Sequence, residues 1–258
     1  MFRGLYTAWT GMANEQKRLD VISNNMANSN TVEYKDEKVA SQAFDQVLGI
    51  KIRDGSQAYH NECIGSLSLG VKIGETYTDY SQGSVRQTGG TYDLALSGSG
   101  FFTVSVTDKA GEVHTRYTRD GRFHLTKDGL LVDADGNAVQ GQNGNITIDP
   151  SSKNVSISAT GQITADGELV DTLNIVDFED YDYLKKYGDT MYEPVDGATT
   201  KDAEGEILQG YTEQSNVNVV REMVDMITIT RAYEAGQKVI RSYDSMLDKS
   251  VNQVGALK

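Results

Sequence analysis

The residue groupings in this 258-residue chain that would suit metal binding or catalysis are few, and each fails on spacing. Asp133, Asp135 and Gly136 match the middle of a calcium loop, in which carboxylates at positions 1, 3 and 5 wrap the cation, Gly at 6 turns the chain and Glu at 12 closes the shell. With Gly136 at position 6, Leu131 falls at position 1 and Gln142 at position 12, so two anionic ligands are missing. His60, His114 and His124 lack the paired spacing of a zinc-binding helix, and the last two fit alternation along strands. Ser97-Gly98-Ser99-Gly100 resembles a glycine-rich phosphate loop, yet it runs into Phe101-Phe102 with no helix and no Lys behind it, so a tight turn is expected. Glu179 and Asp180 have the chemistry of a general acid and base, but nothing separates them from surface carboxylates. Cys63 stands alone, which excludes an internal disulfide and a cysteine-rich metal framework. No catalytic residue, metal or cofactor is expected.

The patterned polar chemistry lies elsewhere, in Ser23-Asn24-Asn25-Met26-Ala27-Asn28-Ser29-Asn30-Thr31-Val32-Glu33-Tyr34-Lys35. Asn side chains hydrogen-bond nearby backbone and favour caps and turns, so this segment predicts a helix ending in a fixed polar turn. The helix before it is written in Phe2, Leu5, Trp9, Met12, Gln16, Leu19, Ser23 and Met26, which step by three and four along one stripe. A matching stripe closes the chain at Val219, Met223, Met226, Thr230, Tyr233, Gln237, Ile240, Asp244, Leu247, Val251 and Val254. A period of 3.5 keeps a narrow seam facing a partner helix, so the two ends are expected to pair as a coiled coil. At about 1.5 Å per residue the helices would run roughly 40 Å and 55 Å, and neither would be stable alone in water.

Charge separates the ends from the middle. Residues 36 to 216 hold fourteen Lys or Arg against twenty-nine Asp or Glu, whereas residues 1 to 35 and 217 to 258 are each net +1. Near-neutral apolar ends suit close packing between chains, and an acidic middle stays solvated and argues against a nucleic-acid partner. With 38% apolar residues and no continuous apolar run of spanning length, membrane insertion is not expected. The N-terminus is broken by Gly4, Thr7, Thr10 and Gly11 and does not read as a cleaved secretory signal.

The middle reads as strands. Asp-Gly pairs at Asp120, Asp128, Asp135, Asp166 and Asp196 sit between short runs rich in Val, Ile, Tyr, Phe and Thr, a hairpin signal because both residues tolerate positive φ. Those from 120 to 136 are spaced for consecutive hairpins. The expected organisation is α+β: residues 1–35 as helix and polar turn, 36–74 as an extended connector, 75–212 as a hairpin-rich β domain, and 213–258 as the C-terminal helix.

Three separated segments carry a resemblance to a known family. The Asn24-Asn25-x-Ala27-Asn28-x-Asn30-Thr31 run followed by Tyr34-Lys35 resembles the signature of the bacterial flagellar rod, hook and hook-associated axial proteins. Gln82 to Leu96 followed by Gly98-Ser99-Gly100-Phe101-Phe102, and Tyr117 to Phe123 with Gly129-Leu130-Leu131-Val132, are similar to that family's middle domain. Ser215-Asn216-Val217-Asn218 leading to Met223-Val224-Asp225-Met226-Ile227 and Arg231-Ala232-Tyr233-Glu234-Ala235 resembles its C-terminal helix. Two positions depart from the pattern. Glu33 replaces the usual Gly, so a left-handed backbone is not expected there. Gly236 replaces Asn and should cost the helix up to about 1 kcal/mol.

The resemblance implies a structural subunit of the basal-body rod, distal in preference to proximal, since the length is too short for a hook protein and the middle too large for a short rod protein. It further implies a helical homo-polymer with paired helices lining a hollow tube and the β domain outside, transmitting torque from motor to hook and leaving a channel. Other rod proteins, the hook protein and the flagellar type III export apparatus would be its partners, at a site outside the cytoplasmic membrane. A secreted β-domain hydrolase acting on the cell wall and an adhesin-like β domain on helical stalks are rival readings; the first lacks a recognisable catalytic set.

Overall fold

The computed structural model describes residues 2–51, 62–108 and 111–255, and these form two compact units. The first gathers the chain ends, up to Ala27 and from Asn218, with Glu37–Asp79. Helix α1 spans Phe2–Ala27 and helix α2 spans Val219–Lys249, running on into a π-helical turn at Ser250–Val254. Asn218 caps α2, its side chain accepting from the Arg221 amide at 3.2 Å. The helices lie antiparallel, with Gly4 beside Tyr243 and Met12 beside Gly236.

In place of the extended connector expected over residues 36–74, the described residues of 37–79 form two antiparallel strand pairs, because each run finds a partner within the same segment. Glu37–Ala43 runs antiparallel to Val71–Thr78, with a bulge between Val39 and Ser41, and Val47–Lys51 pairs with Glu62–Leu67. Polar side chains of α1 hold this ribbon. The Thr7 hydroxyl donates to the Leu69 carbonyl at 3.1 Å, and the Asn14 amide donates to the Ser41 hydroxyl at 3.0 Å. Gly70, at φ +151, leaves the space that the Thr10 hydroxyl occupies, and any Cβ there would collide with it.

The second unit comprises Asn28–Asp36 and Tyr80–Val217. Its main antiparallel sheet follows the order Leu184–Tyr187, Met191–Pro194, Val113–Thr118, Phe101–Thr107, Ala138–Gly141, Leu131–Val132, His124–Leu125, with Ile175–Phe178 also paired to Phe101–Thr107. Phe101 to Ser105 are buried without interruption because both faces of this strand are covered. Phe102 and Val104 face a core with Leu96, Leu131, Val139, Ile146 and Ile163, while Phe101 packs with Phe178, Leu184 and Tyr192 on the other side.

The Asp-Gly signals divide by outcome. Those at Asp128, Asp135 and Asp166 join antiparallel neighbours, and at the last both Asp166 (φ 50) and Gly167 (φ 94) take the positive φ of a tight hairpin turn. Those at Asp120 and Asp196 do not. The strand before Asp120 pairs with Phe101–Thr107 and Met191–Pro194, and the strand after it pairs with Leu131–Val132. Gly121 is required because a Cβ would run into the Leu94 carbonyl, a demand of packing that sequence presents as a turn signal.

Candidate assembly site

The polar segment after α1 is fixed at both ends. Asn25 is 1% exposed, and its amide grips one residue: Nδ2 donates to the Glu37 carbonyl at 2.8 Å and Oδ1 accepts from the Glu37 amide at 3.2 Å. This ties the end of the helix to the start of the strand ribbon. Asn28 accepts from the Thr31 amide and hydroxyl, both at 3.1 Å, and makes the turn, whose outer residue Asn30 is exposed. Asn24 and Ala27 lie on the exposed side of the helix end.

Beyond the turn the chain enters the β unit. Tyr34 is 1% exposed, with the Lys186 ammonium 4.0 Å from its ring centre. Lys35 is completely buried and donates to the Ser81 carbonyl at 3.0 Å and to the equally buried Glu213 carboxylate at 2.5 Å. Glu213 also accepts from the Gly83 amide at 2.7 Å, and Arg119 stands 3.6 Å from its other oxygen. Asn216 completes the junction: Oδ1 accepts from the Asp36 amide at 2.8 Å and Nδ2 donates to the Ser81 carbonyl at 3.1 Å. The Ser215 hydroxyl accepts from the Val217 amide at 3.2 Å and shapes the approach to α2. This buried pair holds the segment of Lys35 against the strand Tyr211–Glu213, because either partner alone would be an unpaired buried ion. Burial pushes the Lys35 ammonium down from its ordinary value, against the pull of Glu213.

Glu33 overturns one expectation. Its φ is +62, a left-handed residue where the Gly-to-Glu departure argued against one. The amide of Glu33 donates to the Glu213 carbonyl at 3.1 Å, and this bond from the turn to the strand Tyr211–Glu213 fixes the backbone regardless of side chain. Gly236 is likewise explained: a Cβ there would lie 2.7 Å from Met12 Cγ, so the residue that weakens the helix permits close approach of α1.

The C-terminal stripe is divided between two faces. Val219, Met226, Ile240 and Leu247 are half-buried, whereas Met223, Tyr233 and Val251 are exposed, as are Arg231 and Ala232. On α1, Leu5, Met12, Leu19 and Met26 are half-buried and Trp9 is 55% exposed beside Tyr6. The side chains of Phe2, Val254 and Cys63, and all of His60, lie outside the described residues. A helix of 3.6 residues per turn drifts about 20° per heptad from a 3.5 repeat, so one stripe cannot face one straight neighbour throughout. The buried residues of α2 are Glu222 and Ile229, which the heptad spacing passes over.

The remaining candidates have structural partners. Asp133 accepts from the amides of Asp135 and Asn137, each at 2.9 Å, and stabilises its own turn. Arg119 donates to the carbonyls of Gly98 and Gly100 at 2.7 and 3.0 Å, which makes the glycine-rich run an arginine-held turn. Glu179 accepts from Thr199, and Asp180 caps the short helix Tyr181–Tyr183. His114 lies 3.9 Å from Glu112 at the surface. Among the described residues no three His, Cys, Asp or Glu gather as a metal site.

Three family models match in chain order: flagella basal body rod protein over residues 5–35, flagellar hook protein FlgE/F/G D1 domain over 95–165, and flagellar basal body rod FlgEFG protein C-terminal over 208–254. The flagellar basal-body rod protein FlgG of Bacillus subtilis is 34% identical over 98% of this chain and 99% of its own length. The chain belongs to the flagellar basal-body rod protein family. It is a structural rod subunit, most like the distal member. FlgG of Caulobacter vibrioides is 36% identical over 95% of this chain and 97% of its own, and FlgF of the same organism is 31% identical over the whole of both. Within this rod-family chain, the matched N-terminal and C-terminal segments are those joined by the Lys35–Glu213 and Asp36–Asn216 contacts. Lys35, Tyr34 and Asn216 were visible as motif residues in the sequence. Arg119 stood inside the Tyr117 to Phe123 motif without an assigned role, and Glu213 and Asn14 were not marked, because a charge or amide destined for burial looks the same as one bound for solvent.

Proposed function

We propose that this rod subunit polymerises head to tail through its terminal helices, which pair with those of neighbouring copies as a coiled-coil layer around a hollow helical tube. The observation that carries the reading is the apolar surface left on the helical unit: Val220, Met223, Val224 and Ile227 are 72%, 49%, 57% and 54% exposed at helical spacing on α2. Val239 and Met246 farther along α2 and Val251 in the turn after it are also exposed, and Tyr6 and Trp9 add two rings on α1. Such surface marks an interface, and a repeated contact that does not close into a ring gives a filament. The tube would transmit torque from motor to hook and leave a channel for exported subunits. Its partners would be further copies, other rod proteins, the hook protein and the flagellar type III export apparatus, which would deliver it beyond the cytoplasmic membrane without a cleaved signal peptide. The proposal takes residues 1–27, 37–79 and 218–258 as the helical assembly part and residues 28–36 and 80–217 as the β part, in place of the expected bounds of 1–35 with 213–258 and of 75–212. No described helix is long and apolar enough to cross a membrane.

Electron microscopy of concentrated protein is expected to show tubes of constant diameter, and labelled chain in isolated basal bodies should map to the distal rod. Monomers at every concentration would refute the tube. A proximal position is the second reading, supported by the FlgF likeness over the whole of both chains, and label next to the motor would establish it.

A further inference from the structure

The Glu33 side chain makes none of the hydrogen bonds that fix the junction. The residue is 1% exposed, and neither carboxyl oxygen has a hydrogen-bond partner. Its backbone sits at φ +62, where L residues carry a steric cost.

The charged groups facing it are Glu213, Lys35, Asp120 and Arg119, with Arg122 also within electrostatic reach. None of the nearby cations hydrogen-bonds Glu33. Lys35 donates to Glu213 and the Ser81 carbonyl, Arg119 donates through Nε and Nη2 to the carbonyls of Gly100 and Gly98 while its Nη1 lies 3.6 Å from Glu213 without a hydrogen bond, and Arg122 donates to both oxygens of Asp120. An ionised Glu33 would be a third carboxylate in a closed space with no donor assigned to it. Such an ion is strongly disfavoured over the neutral acid.

We propose that Glu33 is a proton-dependent latch: with its carboxyl neutral the segment Asn28–Asp36 stays docked in the β unit, and ionisation of that carboxyl loosens it. Burial first, and the Glu213 charge second, push the Glu33 carboxyl well above its ordinary value of 4.5. The folded chain therefore keeps this proton after the unfolded chain has lost it. The stabilising effect is complete below 4.5 and is lost as pH rises through the folded value. Lys35, pushed down from 10.5 by burial, contributes with the opposite sign in a window that closes at 10.5, so substitution at Glu33 is needed to separate the two. A junction that tightens in acid and slackens in base would let external pH set how firmly the segment Asn28–Asp36 is held within the β unit.

The test is denaturant unfolding of the full chain from about pH 5 to about pH 9, with hydrogen-exchange protection read at residues 28–36. The native chain should lose up to about tenfold in folding equilibrium per pH unit across part of this range, and Glu33→Gln should lack that component. Protection of the segment should fall with pH in the native chain and stay level in the variant. Equal slopes in the two chains would overturn the latch. Carbon NMR titration of the Glu33 carboxyl in the unaltered chain decides the matter independently of the variant's folding: a midpoint well above 4.5 is expected, and a carboxyl already ionised at about pH 5 overturns the proposal.

Discussion

The β unit keeps its apolar side chains inside, and the helical unit leaves much of its apolar surface outside. Among the described residues, Val21 and Ile229 are the buried apolar side chains of the helical unit, and all the others belong to the β unit. The helical unit is held by α1–α2 contacts at small residues and by hydrogen bonds from Thr7 and Asn14, while Val224 and Ile227 remain open. Burial of apolar area is the main source of stability, at about 25 cal/mol per Å². The β unit therefore has its stabilisation within one chain. In the proposed assembly, the helical unit would gain the larger part of its own when a second chain covers it.

The sharpest way to break this comparison is to attack each unit where it alone is vulnerable. Lys35→Ala should remove the counter-ion of a fully buried Glu213 and destabilise the β unit by about 3–5 kcal/mol, read as a lower denaturant midpoint in monomeric protein. Val224→Asp or Ile227→Asp should do the reverse, abolishing tubes in the microscope while shifting monomer stability by less than about 0.5 kcal/mol, because both side chains already face water. Tubes of normal length from either variant would mean that this face of α2 is not the interface. Met226→Asp and Leu247→Asp strike half-buried positions, so they should lower helix stability as well as stop growth.

Fragment boundaries sharpen the same contrast. A fragment of residues 28–217 should unfold cooperatively, and one of residues 37–217 should not, because the second lacks Tyr34 and Lys35 and leaves Glu213 bare. Identical melting of the two would show that the junction adds nothing to the β unit. A smaller effect belongs to Gly236→Ala. The gain in helix propensity of up to about 1 kcal/mol opposes overpacking against Met12 of about 1–3 kcal/mol, and a net loss is expected in helix melting by circular dichroism. Smallest of all, Glu179→Ala removes one exposed hydrogen bond with Thr199 and should alter neither tube formation nor, beyond about 0.5 kcal/mol, the melting of the β unit.

The amino-acid sequence by itself determined the two terminal helices and the hairpin-rich middle, because apolar spacing and Asp-Gly turns are local properties, while the strands of residues 37–78 read only as an extended connector. The family resemblance marked Asn25, Tyr34 and Lys35 in one motif and Asn216 in another. Only the tertiary structure decided what these residues do. Residues 35 and 213 meet across most of the chain's length, and nothing local to either announces that both charges will leave water together. The same holds for Asp120-Gly121, where the glycine answers to the Leu94 carbonyl, and for Gly236, which answers to Met12. It holds most clearly for Glu33, whose left-handed backbone is imposed by a hydrogen bond to the strand of Glu213. Backbone conformation and ionisation at such positions are set by neighbours distant in sequence, because desolvation and steric exclusion act through space.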